Sequence, residues 1–106
     1  MSEIRFYRDA EGSPRAESES PALAGLAQFL ESDIQDDRST CIDLLGEIMS
    51  MHEGASPLEF IGNSWVLSYS EEFAALASHV DDDADVIPLK PQTIKEAVRD
   101  WLEFIG

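Results

Sequence analysis

Asp81, Asp82, Asp83 and Asp85 place four carboxylates within five consecutive positions, in the stretch VDDDADVIP that runs from Val80 to Pro88. Oxygen ligation of a hard cation, acid–base work by paired carboxylates and attraction of a basic protein all use such a run. A solvated loop also accounts for it. A calcium loop opening at Asp81, with Asp83 and Asp85 third and fifth, needs glycine at the sixth position and a bidentate glutamate at the twelfth. Val86 and Gln92 stand there instead, so the pattern fails where loop geometry is strictest. A solvated loop is the simplest reading, a docking patch for a basic protein comes next, and a cation site fits worst.

The other reactive side chains form no recognised constellation. His52 and His79 are 27 positions apart and belong to no HExxH or CxxC pattern. Cys41 is the one cysteine, so no internal disulfide forms, and it falls on the apolar stripe of a predicted helix, where a small buried hydrophobe is expected. GNSWV, around Ser64, is not the GxSxG of a nucleophile elbow. No glycine-rich loop is built to cradle phosphate. These residues call for no catalytic, cofactor-binding or metal-binding assignment, and a non-enzymatic protein is expected.

Charge is more informative. The 106 residues carry 22 acids against 7 lysines and arginines, a net charge of −15. The imbalance is uneven: residues 1–30 hold five acids and three arginines, and residues 31–106 hold seventeen acids and four bases. That sign repels nucleic acid and anionic lipid. It serves solubility, steering onto a cationic protein, or a salty cytoplasm; two lysines suit the last of these, but twelve glutamates against ten aspartates do not favour it. No apolar run reaches the roughly 18 to 20 residues of a membrane span. MSEIRFYRDAEG lacks the basic flank and apolar core of a secretory signal. A cytoplasmic protein with one domain over residues 1–106 is the expectation.

The elements that must position the acids follow from periodicity. EIRFYRD, residues 3–9, is β-favourable and is followed by the turn residues DAEGSP; residues 15–19 can return as a short second strand. Ser20 and Pro21 open a helix over residues 21–34, with Leu23, Leu26, Ala27, Leu30 and Ile34 on one face. Thr40 with Asp43 resembles a capping box for a second helix carrying Cys41, Leu44, Leu45 and Ile48, with Gly54 at its end. From Pro57 the period becomes two. LEFI, SWVLSY and FAALASHV predict a three-stranded meander, with a tight Gly62-Asn63 hairpin and glycine at its first central position. Pro88 and Pro91 hold the chain extended, and Thr93 with Glu96 suggests a capping box for a last helix bearing Ile94, Ala97, Val98, Trp101 and Ile105. The class is α+β: a small antiparallel sheet of three to five strands packed on one face by about three helices.

Surface recognition is the remaining function. Glu31, Asp33, Asp36 and Asp37 crowd the end of the first helix, Glu71 and Glu72 lie at a hairpin turn, and Asp81, Asp82, Asp83 and Asp85 follow the meander. If the three groups converge, their field raises the association rate with a cationic partner by about 10- to 1,000-fold at low salt. The candidate partner-binding residues are Glu71, Glu72, Asp81, Asp82, Asp83 and Asp85.

GNSWVLSYSEEFAALASHV followed by IPLKPQTIKEAVRDWLEFI resembles the C-terminal half of small immunity proteins from bacterial contact-dependent growth inhibition systems. The element order, and the FYRD that closes the first strand, are also similar to the YacL-like family of uncharacterised cytoplasmic bacterial proteins. The first resemblance implies a non-catalytic inhibitor that covers the active site or substrate groove of a toxin, often a nuclease. A nuclease groove is basic because it binds phosphates, so the six carboxylates would face its lysines and arginines. The second resemblance implies a housekeeping or self-associating protein whose acidity only keeps it soluble.

Overall fold

The Asp9 carboxylate builds the first turn of the chain. In a computed structural model that describes residues 3–81 and 85–106, its Oδ1 accepts from the amides of Glu11 and Ser13 at 2.9 and 3.0 Å. Gly12 supplies the positive φ of +84° that the turn needs. The turn joins strands β1 (Arg5–Arg8) and β2 (Pro14–Glu17), which pair antiparallel as a two-stranded sheet.

Ser20 and Pro21 then open helix α1 (Pro21–Phe29). The helix runs on into a π-helical segment, Leu30–Ile34, closed by the Gln35 amide bonding to the Leu30 carbonyl at 2.9 Å. Helix α2 (Arg38–Met49) follows, and its cap corrects the sequence expectation. Asp37, not the Thr40 and Asp43 pair, is the N-cap: Oδ1 accepts from the Thr40 amide at 3.1 Å, and Oδ2 from the Thr40 hydroxyl at 2.7 Å. These bonds hold the Asp37 carboxyl below its usual pKa. Gly54 has the expected left-handed φ, at +87°, but lies in the turn beyond Ser50, the residue that caps the helix.

Strands β3 (Leu58–Ile61), β4 (Trp65–Tyr69), β5 (Ala74–Ser78) and β6 (Ile87–Leu89) form a four-stranded antiparallel sheet in sequence order. The meander is therefore one strand longer than its periodicity suggests, because the extended Ile87–Leu89 segment pairs with β5. Helix α3 (Pro91–Ile105) begins two residues before the expected Thr93 cap. Pro91 lacks an amide hydrogen and has the φ of a first helical residue, so it starts the helix, and Glu96 accepts from the Gln92 side chain at 3.2 Å instead of closing a box.

One face of the larger sheet meets the helices. Leu67, Tyr69, Ala74 and Leu76 are buried there, with Leu58, Phe60, Trp65, Ile87 and Leu89 packed around them. Phe29 of α1 meets Phe60 edge-on with ring centroids 5.8 Å apart. A Cβ on Gly25 would come within 2.6 Å of Ile87 Cδ1, which shows how closely α1 lies against β6. The β1–β2 hairpin packs on the helices. Phe6 stands edge-on to Trp101 of α3 at 5.1 Å, and Phe104 lies 5.5 Å from Phe6. Trp101 is fully buried, and its Nε1 donates to the Gln35 carbonyl at 2.8 Å. The molecule is an α+β fold whose core lies between the four-stranded sheet, the helices and the N-terminal hairpin.

Candidate protein-binding surface

Strand direction decides where the acids stand. Glu71 and Glu72 occupy the β4–β5 turn, where Ser70 and Phe73 are bonded amide to carbonyl at 2.8 Å. Asp81 and Asp85 follow the other end of β5. Five extended residues span roughly 16 Å, so the two pairs lie at opposite ends of the sheet. Glu71, Glu72, Asp81 and Asp85 are exposed; Asp82 and Asp83 lie outside the described residues.

The acids at the end of the first helix join the Asp81 end, and most are engaged internally. Asp33 reaches the β3–β4 turn, where its carboxylate accepts from the amides of Ser64 at 3.0 Å and Trp65 at 2.9 Å. Trp65 pairs with Ser78, and the Ser78 hydroxyl accepts from the Asp81 amide at 3.0 Å, which places Asp33 and Asp81 at the same end. Glu31 accepts from the Ala16 amide at 2.9 Å and pairs with Arg15 at 3.1 Å, raising the Arg15 pKa. Asp37 caps α2. Asp36 is exposed and makes none of these bonds. The three acidic groups thus do not merge into one patch, and the first serves largely as internal hydrogen-bond acceptors.

The charge they leave at the surface is nonetheless substantial. Arg5 pairs with Glu17, Arg15 also approaches Asp9, and Arg99 pairs with Asp100, which uses three of the seven cations. Among the described residues, Glu71, Glu72 and Asp85 have no cationic partner. Glu71 and burial together raise the Tyr69 phenol, burial contributing more.

Gly62 is a position that pattern reading explains wrongly. It does not have a positive φ. A Cβ there would lie 2.7 Å from Asp33 Cβ, so the glycine is needed for space beside the capping carboxylate. Asp33 itself was visible only as one more acid, since its partners lie 31 and 32 positions away.

Cys41 is fully buried, with Sγ 3.6 Å from the Val98 carbonyl, and burial pushes its thiol up to about 11. Its thiolate is scarce at neutral pH, the reverse of what a nucleophile requires. The unfolded chain ionises near the ordinary value of 9.0. The thiol's contribution to stability is therefore complete below about pH 9 and is lost as pH rises toward 11. Urea midpoints measured across this range should fall less steeply in Cys41→Ala than in the parent, and iodoacetamide should label Cys41 at pH 8 only after unfolding.

Among the described residues no group of three His, Cys, Asp or Glu could hold a metal ion, and no helix is long and apolar enough to cross a membrane. Set against protein-family models, curated proteins and solved structures, the chain finds no match in any of the three.

Proposed function

We propose that this chain is a non-catalytic protein-binding module of the immunity or antitoxin type, which neutralises a basic toxin in the cytoplasm. The observation that carries this reading is that Glu71 and Glu72 at one end of the sheet and Asp85 at the other are exposed and have no cationic partner among the described residues, on a chain of net charge −15. Carboxylates without internal cations keep their field available to a partner, and that field acts on the rate of encounter before any contact forms. A nuclease is the favoured toxin class, because a groove that binds phosphate presents the complementary sign.

The reading is tested by capture from the source cells on tagged protein at low and high salt, followed by purification of the captured protein. One basic protein that releases with salt is expected. The combined variant Glu71→Gln, Glu72→Gln, Asp81→Asn and Asp85→Asn should remain folded by circular dichroism and associate measurably more slowly at low salt, with the difference from the parent shrinking at high salt. Retention of no basic protein, or association unchanged by the four substitutions, would overturn the proposal, and elution of the chain as a self-assembled species alone would favour the housekeeping alternative.

A further inference from the structure

We propose that the open edge of β1, with the groove beside it on α3, is the docking site of this module, and that its occupant is an extended segment of a basic protein. The segment adds a strand to the β1–β2 hairpin and turns alternate lysines or arginines onto α3. The inference rests on the reading above that the partner is basic.

The register of the hairpin shows which main-chain groups are open. Phe6 faces Ala16 across it, and the Ala16 amide points away from β1 to the Glu31 carboxylate, at 2.9 Å. In an antiparallel pair of this kind both residues turn their amides and carbonyls outward. Glu31 therefore closes the outer edge of β2, whereas the amides of Phe6 and, two residues on, Arg8 point out along the other edge. Neither amide has a partner among the described residues.

Beside this edge lie two hollows of about 580 and 560 Å³ that share Ile4 and Asp100 in their walls and so run on as one groove. Along α3 it extends from Thr93 to Phe104, a rise of roughly 16 Å, which matches about five extended residues. Its floor is apolar: Phe6, Leu23 and Phe104 are half-buried, and Ile4 and Ala97 are buried. Its rim is acidic. Glu3, Glu96, Asp100 and Glu103 line it against the guanidinium of Arg99, which pairs with Asp100 at 3.8 Å. Arg8 lies at the far end, 5.4 Å above the centre of the Phe104 ring.

A lysine or arginine suits both layers, since its methylene stem covers apolar surface while its head reaches the carboxylates. Main-chain bonds to β1 supply affinity, and the alternate side chains supply the preference for a basic segment. A second copy of this chain fits badly, because pairing β1 with β1 brings two α3 rims of like charge together.

The probe is a capped peptide of about eight residues, alternating arginine and threonine, titrated into the labelled full chain and followed by nuclear magnetic resonance. Saturable binding is expected, with shifts centred on Phe6, Arg8, Asp100 and Phe104 and with the Phe6 and Arg8 amide protons newly protected from exchange. The same peptide N-methylated at its arginines keeps its charge but loses the amides that face β1, and should bind at least about tenfold more weakly. Arg8→Pro removes one edge donor and should weaken the peptide at least about fivefold, whereas Arg8→Ala, which keeps the amide, should bind no more weakly than the parent. Glu96→Gln, Asp100→Asn and Glu103→Gln together should weaken it at least about threefold at low salt. The variants should keep the circular dichroism of the parent; should Arg8→Pro unfold, the N-methylated peptide on the parent chain decides. No saturable binding, shifts centred elsewhere, equal binding of the N-methylated peptide, or dimerisation of the chain through β1 would overturn the proposal. If a basic protein captured from cells is held equally by folded Arg8→Pro and by the triple variant, the groove falls and the basic-partner reading stands. If the peptide binds the groove but cells yield no basic partner, the reverse holds.

Discussion

Trp101→Ala is expected to lower the unfolding free energy by about 3–5 kcal/mol, a large share of the total for a domain whose stability is of the order of 5–15 kcal/mol. The side chain is fully buried where three parts of the chain meet. It belongs to α3, stacks edge-on with Phe6 of β1, and donates its indole proton to the carbonyl of Gln35 at the end of the π-helical segment. Truncation removes the ring and leaves a cavity that three elements must collapse into together. Urea denaturation followed by circular dichroism measures the loss; a change below about 1 kcal/mol would show that the junction is not the keystone described.

Two companion substitutions divide that loss. Trp101→Phe keeps most of the apolar volume but removes the bond to the carbonyl of Gln35, an exposed residue, at a cost of about 0.5–1.5 kcal/mol. Gln35→Gly should act in the opposite sense. Gln35 has φ +58° and ψ −141°, a conformation that favours glycine, and relieving it should stabilise the protein by about 1 kcal/mol. A destabilised Gln35→Gly protein would show that the glutamine side chain bond to the Ser32 carbonyl at 2.9 Å outweighs the backbone strain.

Asp33 and Gly62 carry the second large effect. Asp33→Ala leaves the Ser64 and Trp65 amides without their carboxylate, and bonds to a charged acceptor contribute about 1.5–3 kcal/mol each. Because water can reach this half-exposed turn, a combined loss of about 2–4 kcal/mol is expected. Gly62→Ala pushes a methyl against the Asp33 side chain and should cost about 1–3 kcal/mol by overpacking. The two losses should not add. Once Asp33 is alanine, the Gly62 methyl displaces no carboxylate, so a double-mutant cycle should show coupling of at least about 0.5 kcal/mol. Additive losses would mean that Gly62 is required by the hairpin backbone and not by its neighbour.

Much of this architecture is legible from side-chain periodicity. The stripe Leu26, Ala27, Leu30 and Ile34 marks the first helix because i, i+4 spacing leaves one face to bury. Leu67 and Tyr69 alternate with Val66 and Ser68 as a strand with one buried face must. The turn residues around Asp9 and Gly12 are equally readable. Helix starts are less so: Asp37 and Pro91 prevail over Thr40 and Thr93 because an earlier residue already satisfies the first turn.

The acidic groups show where local pattern stops being informative. Composition alone establishes a strongly negative chain with few cations to neutralise it, since charge counts do not depend on folding. Where that charge is felt depends on chain reversal. In a meander each successive turn falls at the opposite end of the sheet, so Glu71 and Glu72 are held away from Asp81 although the sequence brings them close. Asp33 and Glu31 are withdrawn from the surface role by amides far along the chain, Trp65 and Ala16, which only tertiary packing delivers to them. The same packing covers one side of the sheet with helices and leaves Ile61, Val66 and Ala77 on the other, a choice that period-two alternation permits but cannot make.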